Sequence, residues 1–169
     1  ADGPCCFHLS AACYDHVPHI GHSPQRMASF EEALLAELWP CVEAVLAWCL
    51  LPNHWHVLVK TADLKRTIHQ LGRLHGRTSR QWNQEEMSAG RKCWFGCADR
   101  RLRSEAHFWA TLNYIHHNPV HHGYADQWQV WPYSSAVEWI EQMGRREAAR
   151  IWKSYPVMEY GRGWDDPEM

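Results

Sequence analysis

Two apolar runs joined by a very short turn constrain this chain most. Val42 to Leu50 is nearly all apolar, as a central strand is, and Leu51-Pro52-Asn53 reads as a turn. A second run, His54 to Val59, follows at once. Parallel neighbours need a crossover of a dozen or more residues, so these two runs must pair as an antiparallel hairpin. Side chains alternate along a strand, which puts His54 and His56 on one face and Trp55 and Val57 on the other. Twice the rise of ~3.3 Å per residue sets the two imidazoles roughly 6–7 Å apart at Cα, near enough to reach one metal ion. Two histidines on a half-buried strand that bind nothing are the plainer alternative.

Around this hairpin the pattern mixes strands and helices. Cys5 to Tyr14 reads as a first strand and Asp15 to Pro24 as a loop. Ser29 is placed to cap a helix that runs to Leu38 and stops at Pro40. Asp63 is placed to cap the next, which extends to about Trp82 with Leu64, Ile68, Leu71, His75, Thr78 and Trp82 on one stripe. Glu85 to Lys92 is a polar loop, Cys93 to Leu102 a strand, and Ser104 the cap of a helix ending near Pro119. A last helix spans about Ala136 to Trp152. The class is α+β, a mainly antiparallel sheet with flanking helices. With 169 residues the chain is most simply one domain, residues 1–154, and a tail, residues 155–169.

The formal charge of −2 hides an asymmetry. Residues 60–103 hold eleven Lys and Arg against four acids, a local +7 in an otherwise acidic chain. On the second helix Arg66, Arg73, Arg77 and Arg80 share the stripe opposite the apolar one, with no acid at i+4 to balance them. Arginine in that number suits phosphate, and a solvated charged face is the alternative. Seven cysteines in irregular spacing point to reduced thiols and a cytosolic setting. Cys93 and Cys97 lack a second pair at zinc-finger spacing and read as free thiols. No apolar run reaches the ~18–20 residues of a membrane span. No signal-peptide pattern is visible, and Ala1 in place of Met fits a trimmed start.

A second stretch bears on the two histidines. In Tyr114-Ile115-His116-His117-Asn118-Pro119-Val120, Tyr114 and Asn118 lie four apart, on one helical face. Pro119 works against a helical Asn118, which weakens that inference. Two imidazoles and an amide oxygen leave positions open on a divalent ion, where a phosphate oxygen can bind. A phenol beside such an ion is a competent nucleophile toward a phosphodiester. His116, His117, His121 and His122 form a further cluster, for which solvated or hydrogen-bonded roles outweigh a zinc site. No Walker-type motif accompanies them.

Three ordered motifs carry a family resemblance. Pro52 to Val59 matches Pro-Asn-His-x-His with its flanking hydrophobes, Tyr114 to Val120 matches Tyr-Ile-His-x-Asn-Pro-Val, and Trp131 to Ser135 matches Trp-x-Tyr-Ser-Ser. Together they resemble the HUH single-tyrosine (Y1) transposases, specifically the REP-associated, IS200-like branch, over roughly residues 5–140. The resemblance implies a ferredoxin-like HUH domain, Tyr114 as nucleophile, and His54, His56 and Asn118 as ligands of Mg²⁺ or Mn²⁺. It implies a single-stranded DNA hairpin of REP type as partner, cut through a 5′-phosphotyrosine, at the nucleoid in a bacterial cytoplasm; a monomer is expected in preference to a dimer, although relatives differ on this. Trp55 departs from the pattern, which usually has a smaller aliphatic residue there, and a packing difference is expected. A hairpin-binding module without catalysis and a metal-dependent phosphodiesterase using water are the alternatives. For the tail, with Glu159, Asp165, Asp166 and Glu168 against Arg162, there are two readings. It is a frayed end, or it folds back toward the basic groove or the metal on Tyr160 and Trp164.

Overall fold

A computed structural model describes residues 3–157 and residue 160. Strand β1 (Cys5–Ala12) leads through helix α1 (Pro24–Leu38) to the hairpin of β2 (Ala44–Leu51) and β3 (His54–Thr61). Helix α2 (Leu64–Glu85), strand β4 (Ala98–Arg101) and helices α3 (Glu105–His121), α4 (Ala136–Met143) and α5 (Arg145–Ser154) follow. The sheet is antiparallel throughout, in the order β2-β3-β1-β4. With α1 and α2 packed on one face, this is the split βαβ of a ferredoxin-like fold. The hairpin forms as the short turn requires.

Alternation along the strands separates two cores. Leu9, Ala11, Trp55, Val57 and Val59 pack with Phe30 and Leu34 of α1 and Leu71, Leu74 and Trp82 of α2. On the opposite face Ala47, Cys49, Leu51 and Leu58 pack with Leu112, Tyr114 and Ile115 of α3 and Trp139, Ala148 and Ile151 of α4 and α5. Both faces of the sheet are therefore covered. Trp55 takes the α1–α2 side, where it is fully buried and its Nε1–H donates to His75 Nε2 at 3.2 Å. That is the packing consequence of its bulk.

Several boundaries differ from the sequence reading. Helix α1 starts at Pro24, not near Ser29, because Ser23 in extended conformation accepts from the Arg26 N–H at 3.1 Å. Proline at the first helical position needs no N–H partner and already has a helical φ, so Ser23-Pro24 wins over the later serine. Of the stretch 93–102 only Ala98–Arg101 is strand; the preceding part makes a single bridge between Trp94 and Cys13. The expected last helix is two, divided at Gly144, whose φ of +86° suits glycine and ends α4. Helix α3 passes through Pro119 to His121. The bond that Pro119 cannot donate is missing only in the last turn, where His122 N–H still reaches Asn118 O at 3.1 Å. Asn118 therefore stays helical, on the same face as Tyr114.

The loop after β1 is tied to the hairpin turn. Gly21 N–H donates to Pro52 O at 2.9 Å. A Cβ on Gly21 would sit 2.4 Å from Pro52 Cβ, so only glycine allows this approach. Trp131 to Ser135 lies along the outer edge of β2: Leu50 N–H donates to Tyr133 O at 2.8 Å and Ser135 N–H to Trp48 O at 3.0 Å. Among the described residues no helix is long and apolar enough to cross a membrane.

Candidate active site

Strand β3 and helix α3 meet over the second core, and their polar side chains meet there too. His54 and His56 face α3, 4% and 1% exposed, with ring centroids 5.1 Å apart. Nitrogen–metal bonds are about 2 Å long, so two rings at that separation can share one ion. Asn118 of α3 is fully buried, and its Oδ1 lies 2.9 Å from His54 Nε2. The Tyr114 ring stands edge-on to His56, 5.4 Å between centroids. The four residues singled out by the motifs converge.

Three further residues complete the cluster, and no local spacing pointed to them. His8 of β1, fully buried, brings its Nε2 to 2.9 Å from His56 Nδ1 and its ring to 6.0 Å from that of Tyr114. Ser10 is the Cα partner of His56, so His8 reaches it diagonally across the strand pair. Arg100 of β4 is the Cα partner of His8 and shares its face. Tyr160, near the chain end, packs its ring 5.4 Å from that of Tyr114, and its hydroxyl meets Thr111 Oγ1. Burial pushes the Tyr160 hydroxyl pKa up, against the pull of Thr111 and of the Arg100 charge. Tyr160, one of the two aromatic residues of the fold-back reading of the tail, thus lies against Tyr114. The expectations for Glu159, Arg162, Trp164, Asp165, Asp166 and Glu168 lie outside the described residues.

The donor set fits a hard or borderline divalent ion. His54 Nδ1 lies 2.7 Å from Asn53 Oδ1, so both nitrogens of one imidazole face amide oxygens, and a neutral ring donates to only one of them. The other contact needs a cation, a second ring proton or a turned amide. Asn118 Nδ2, buried and without a partner among the described residues, shows that this amide is held by its oxygen side alone. Among the described residues no group of three or more His, Cys, Asp or Glu side chains is arranged to hold a metal. The candidate set is two imidazoles and an amide.

The other histidines have structural partners. His116 Nε2 lies 2.8 Å from Ser135 Oγ and its ring stacks on Trp128 at 5.8 Å; burial lowers its pKa to about 3. His117 packs on Trp152. His122, half-buried at the end of α3, stands 4.7 Å from the His54 ring. All seven cysteines are free thiols, and burial pushes Cys13 and Cys97 up to about 12, which keeps them protonated.

The arginine face does not join the site. Arg66, Arg73, Arg77 and Arg80 are exposed on α2, which packs on the sheet face opposite Tyr114. Arg77 is not unbalanced as its helix alone implies: it pairs with Glu37 of α1. Arg73 reaches Gln70 at 3.5 Å. An i+4 count sees only one helix, and the balancing acid comes from another.

A Haemophilus influenzae protein assigned as a REP-associated tyrosine transposase is 32% identical over 107 residues, 53% of this chain and 57% of that one. The chain thus spans little more than half the length of this curated relative. A REP-associated tyrosine transposase solved with a REP hairpin superposes with a TM-score of 0.60 and 17% identity, covering 90% of this chain and 83% of that one. At that identity the likeness is one of fold. No protein-family model matches the chain.

Proposed function

We propose, taking the likeness to REP-associated tyrosine transposases as the premise, that the chain is a metal-dependent endonuclease and strand transferase for REP-type single-stranded DNA hairpins. One observation carries the reading: Tyr114, His54, His56 and Asn118, far apart in sequence, meet in one buried cluster. His54, His56 and Asn118 would hold Mg²⁺ or Mn²⁺. Bound there, the ion supplies Lewis-acid stabilisation of the charge on the phosphoryl oxygens. Tyr114 Oη attacks phosphorus; the bond to the 3′ oxygen breaks as the phosphotyrosine bond forms. The phenol loses a proton and the departing 3′ oxygen gains one. Bond energy is conserved, so strand transfer runs without ATP.

Access sets a condition on this chemistry. Tyr114 is 2% exposed and the Tyr160 ring lies against it. DNA reaches the phenol only if the side chains that bury it, Tyr160 among them, move aside. The same motion admits water to the ion-binding side chains, which keeps the hydrolytic alternative in play.

The test is a labelled hairpin incubated with the protein and Mn²⁺ and run on a denaturing protein gel. A covalent adduct, absent in Tyr114→Phe, is the expected result. Cleavage without an adduct would establish the water-using phosphodiesterase instead. A mobility shift on a native gel with neither product would leave a hairpin-binding module.

A further inference from the structure

We infer that Asn53 and His8 are positioning residues: each holds the Nδ1 side of one candidate ligand, so that His54 and His56 both turn an Nε2 lone pair toward the space beside Tyr114. The inference rests on the metal reading above and goes beyond it, to how the ligands are prepared before any ion arrives. A metal-binding histidine needs a neutral ring with its proton on the other nitrogen, and the partner of that nitrogen decides the tautomer.

For His54 the hydrogen bonds settle the matter. Asn53 Nδ2 donates to His16 O at 3.3 Å, so the amide cannot turn over without aiming its oxygen at a carbonyl. Its Oδ1 therefore faces His54 Nδ1, 2.7 Å away, and an oxygen there only accepts. In the neutral ring the proton therefore sits on Nδ1, and the Nε2 lone pair points at Asn118 Oδ1, 2.9 Å away. Two acceptors at that distance repel. A metal ion relieves the clash; without one, a second ring proton or a half-turn of the Asn118 amide, which brings its N–H to the same lone pair, does so. Asn118 thus serves both states of the site. The loop that fixes Asn53 is itself held under tension, with Asp15 and His16 both at φ +53°.

For His56 the geometry narrows the choice to one proton. His8 Nε2 and His56 Nδ1 lie 2.9 Å apart with room for a single hydrogen between them. Placed on His56 Nδ1, it leaves His56 Nε2 as a lone pair, matching His54. Placed on His8 Nε2, it makes His56 aim an N–H into the site, where no ion could be accepted. The metal reading selects the first arrangement, in which His8 accepts. A fully buried position on a central strand suits it, because neither the ring nor the strand can drift.

Long-range ¹H–¹⁵N spectra of the metal-free full chain read the tautomers directly. Protonated Nδ1 at both His54 and His56 is expected; a protonated Nε2 on neutral His56 overturns the role of His8, whatever any variant does. Calorimetry with Mn²⁺ supplies the second readout. Asn53→Ala and His8→Phe should each weaken binding by roughly 10–100-fold, as removal of an outer partner does. Asn53→Asp and His8→Gln, which keep an acceptor in place, should recover most of that affinity. Thermal melting confirms that each variant is folded. Unchanged affinity in folded Asn53→Ala and His8→Phe overturns the inference. A wild-type chain that binds no Mn²⁺ yet gives the expected tautomers overturns the metal reading alone, and the positioning stands on the spectra.

Discussion

On the α1–α2 side of the sheet His75 lies between Trp55 and Trp94, whereas on the α3 side His8, His54 and His56 lie against one another and against Tyr114. Both groups are buried, and both touch a strand of the same sheet. His75 stacks on Trp94 at 4.1 Å, accepts one bond from Trp55, and is held near pKa 4 by burial. Its surroundings are apolar rings that ask nothing more of it. The α3-side imidazoles instead have nitrogens and oxygens opposite their own nitrogens, an arrangement whose protons are contested. Burial alone does not mark a chemical site. What each ring nitrogen faces does.

The comparison breaks most visibly at Tyr114. Tyr114→Phe should reduce the covalent adduct to background while hairpin affinity, read by gel shift, stays close to wild type. Adduct formation in that variant would dismiss the α3 side as the reacting face. Next in size is metal affinity: His54→Ala or His56→Ala should abolish calorimetric Mn²⁺ binding, and His75→Gln should leave it unchanged. Loss of binding in His75→Gln as well would mean that the two faces are not separate.

A third measurement sharpens the contrast through pH. His75 has a folded pKa of about 4 against an ordinary 6.5, so the unfolded chain binds the extra proton between those values. Stability contributed by the neutral ring is complete above about pH 6.5 and declines as the pH falls toward 4. The decline amounts to about 3 kcal/mol at the bottom of the window. His75→Gln keeps an acceptor for Trp55 and removes the titration, so denaturant midpoints between pH 6.5 and 4 should vary less than in wild type. An equally steep decline in the variant would locate the acid sensitivity elsewhere, with His116, held at about 3, next in line.

The smallest effect is expected from the outer face of α2. Replacing Arg73, Arg77 and Arg80 by Ala should weaken hairpin binding and flatten its salt dependence by about 0.7–0.9 for each phosphate that an arginine no longer neutralises. The cleavage rate at saturating DNA should not change, since these residues lie across the sheet from Tyr114. An unchanged slope would return this face to solvent, and Arg77 to its pairing with Glu37.

How much of this was legible in the sequence depended on distance along the chain. The turn at Pro52-Asn53 forced the hairpin, and alternation alone put His54 and His56 on one face. Tyr114 and Asn118 were marked by helical spacing together with a motif. His8 could not be found this way, because its relation to His56 exists only through the β1–β3 register, across 48 residues. Arg100 entered the reading as one more positive charge; only its pairing opposite His8 gives it a place. Ser29 is as good a cap by residue type as Ser23, and only the proline after Ser23 decides between them. Gly144 was passed over inside an amphipathic pattern that continues on either side of it.

The strip from Trp131 to Ser135 has a consequence for how copies of this chain meet. A four-stranded sheet has two open borders, and an open border invites another strand to add to it. Along the second half of β2 that invitation is withdrawn: the outward groups of Trp48 and Leu50 are bonded to Tyr133 and Ser135, and the Trp131 indole N–H donates to Leu50 O at 2.8 Å. At the other border β4 offers only four residues, three of them charged. Lateral stacking into fibrils and dimers built by fusing two sheets both need a free border. Adding a strand beside Trp48 and Leu50 would therefore begin by peeling a strip of five residues away.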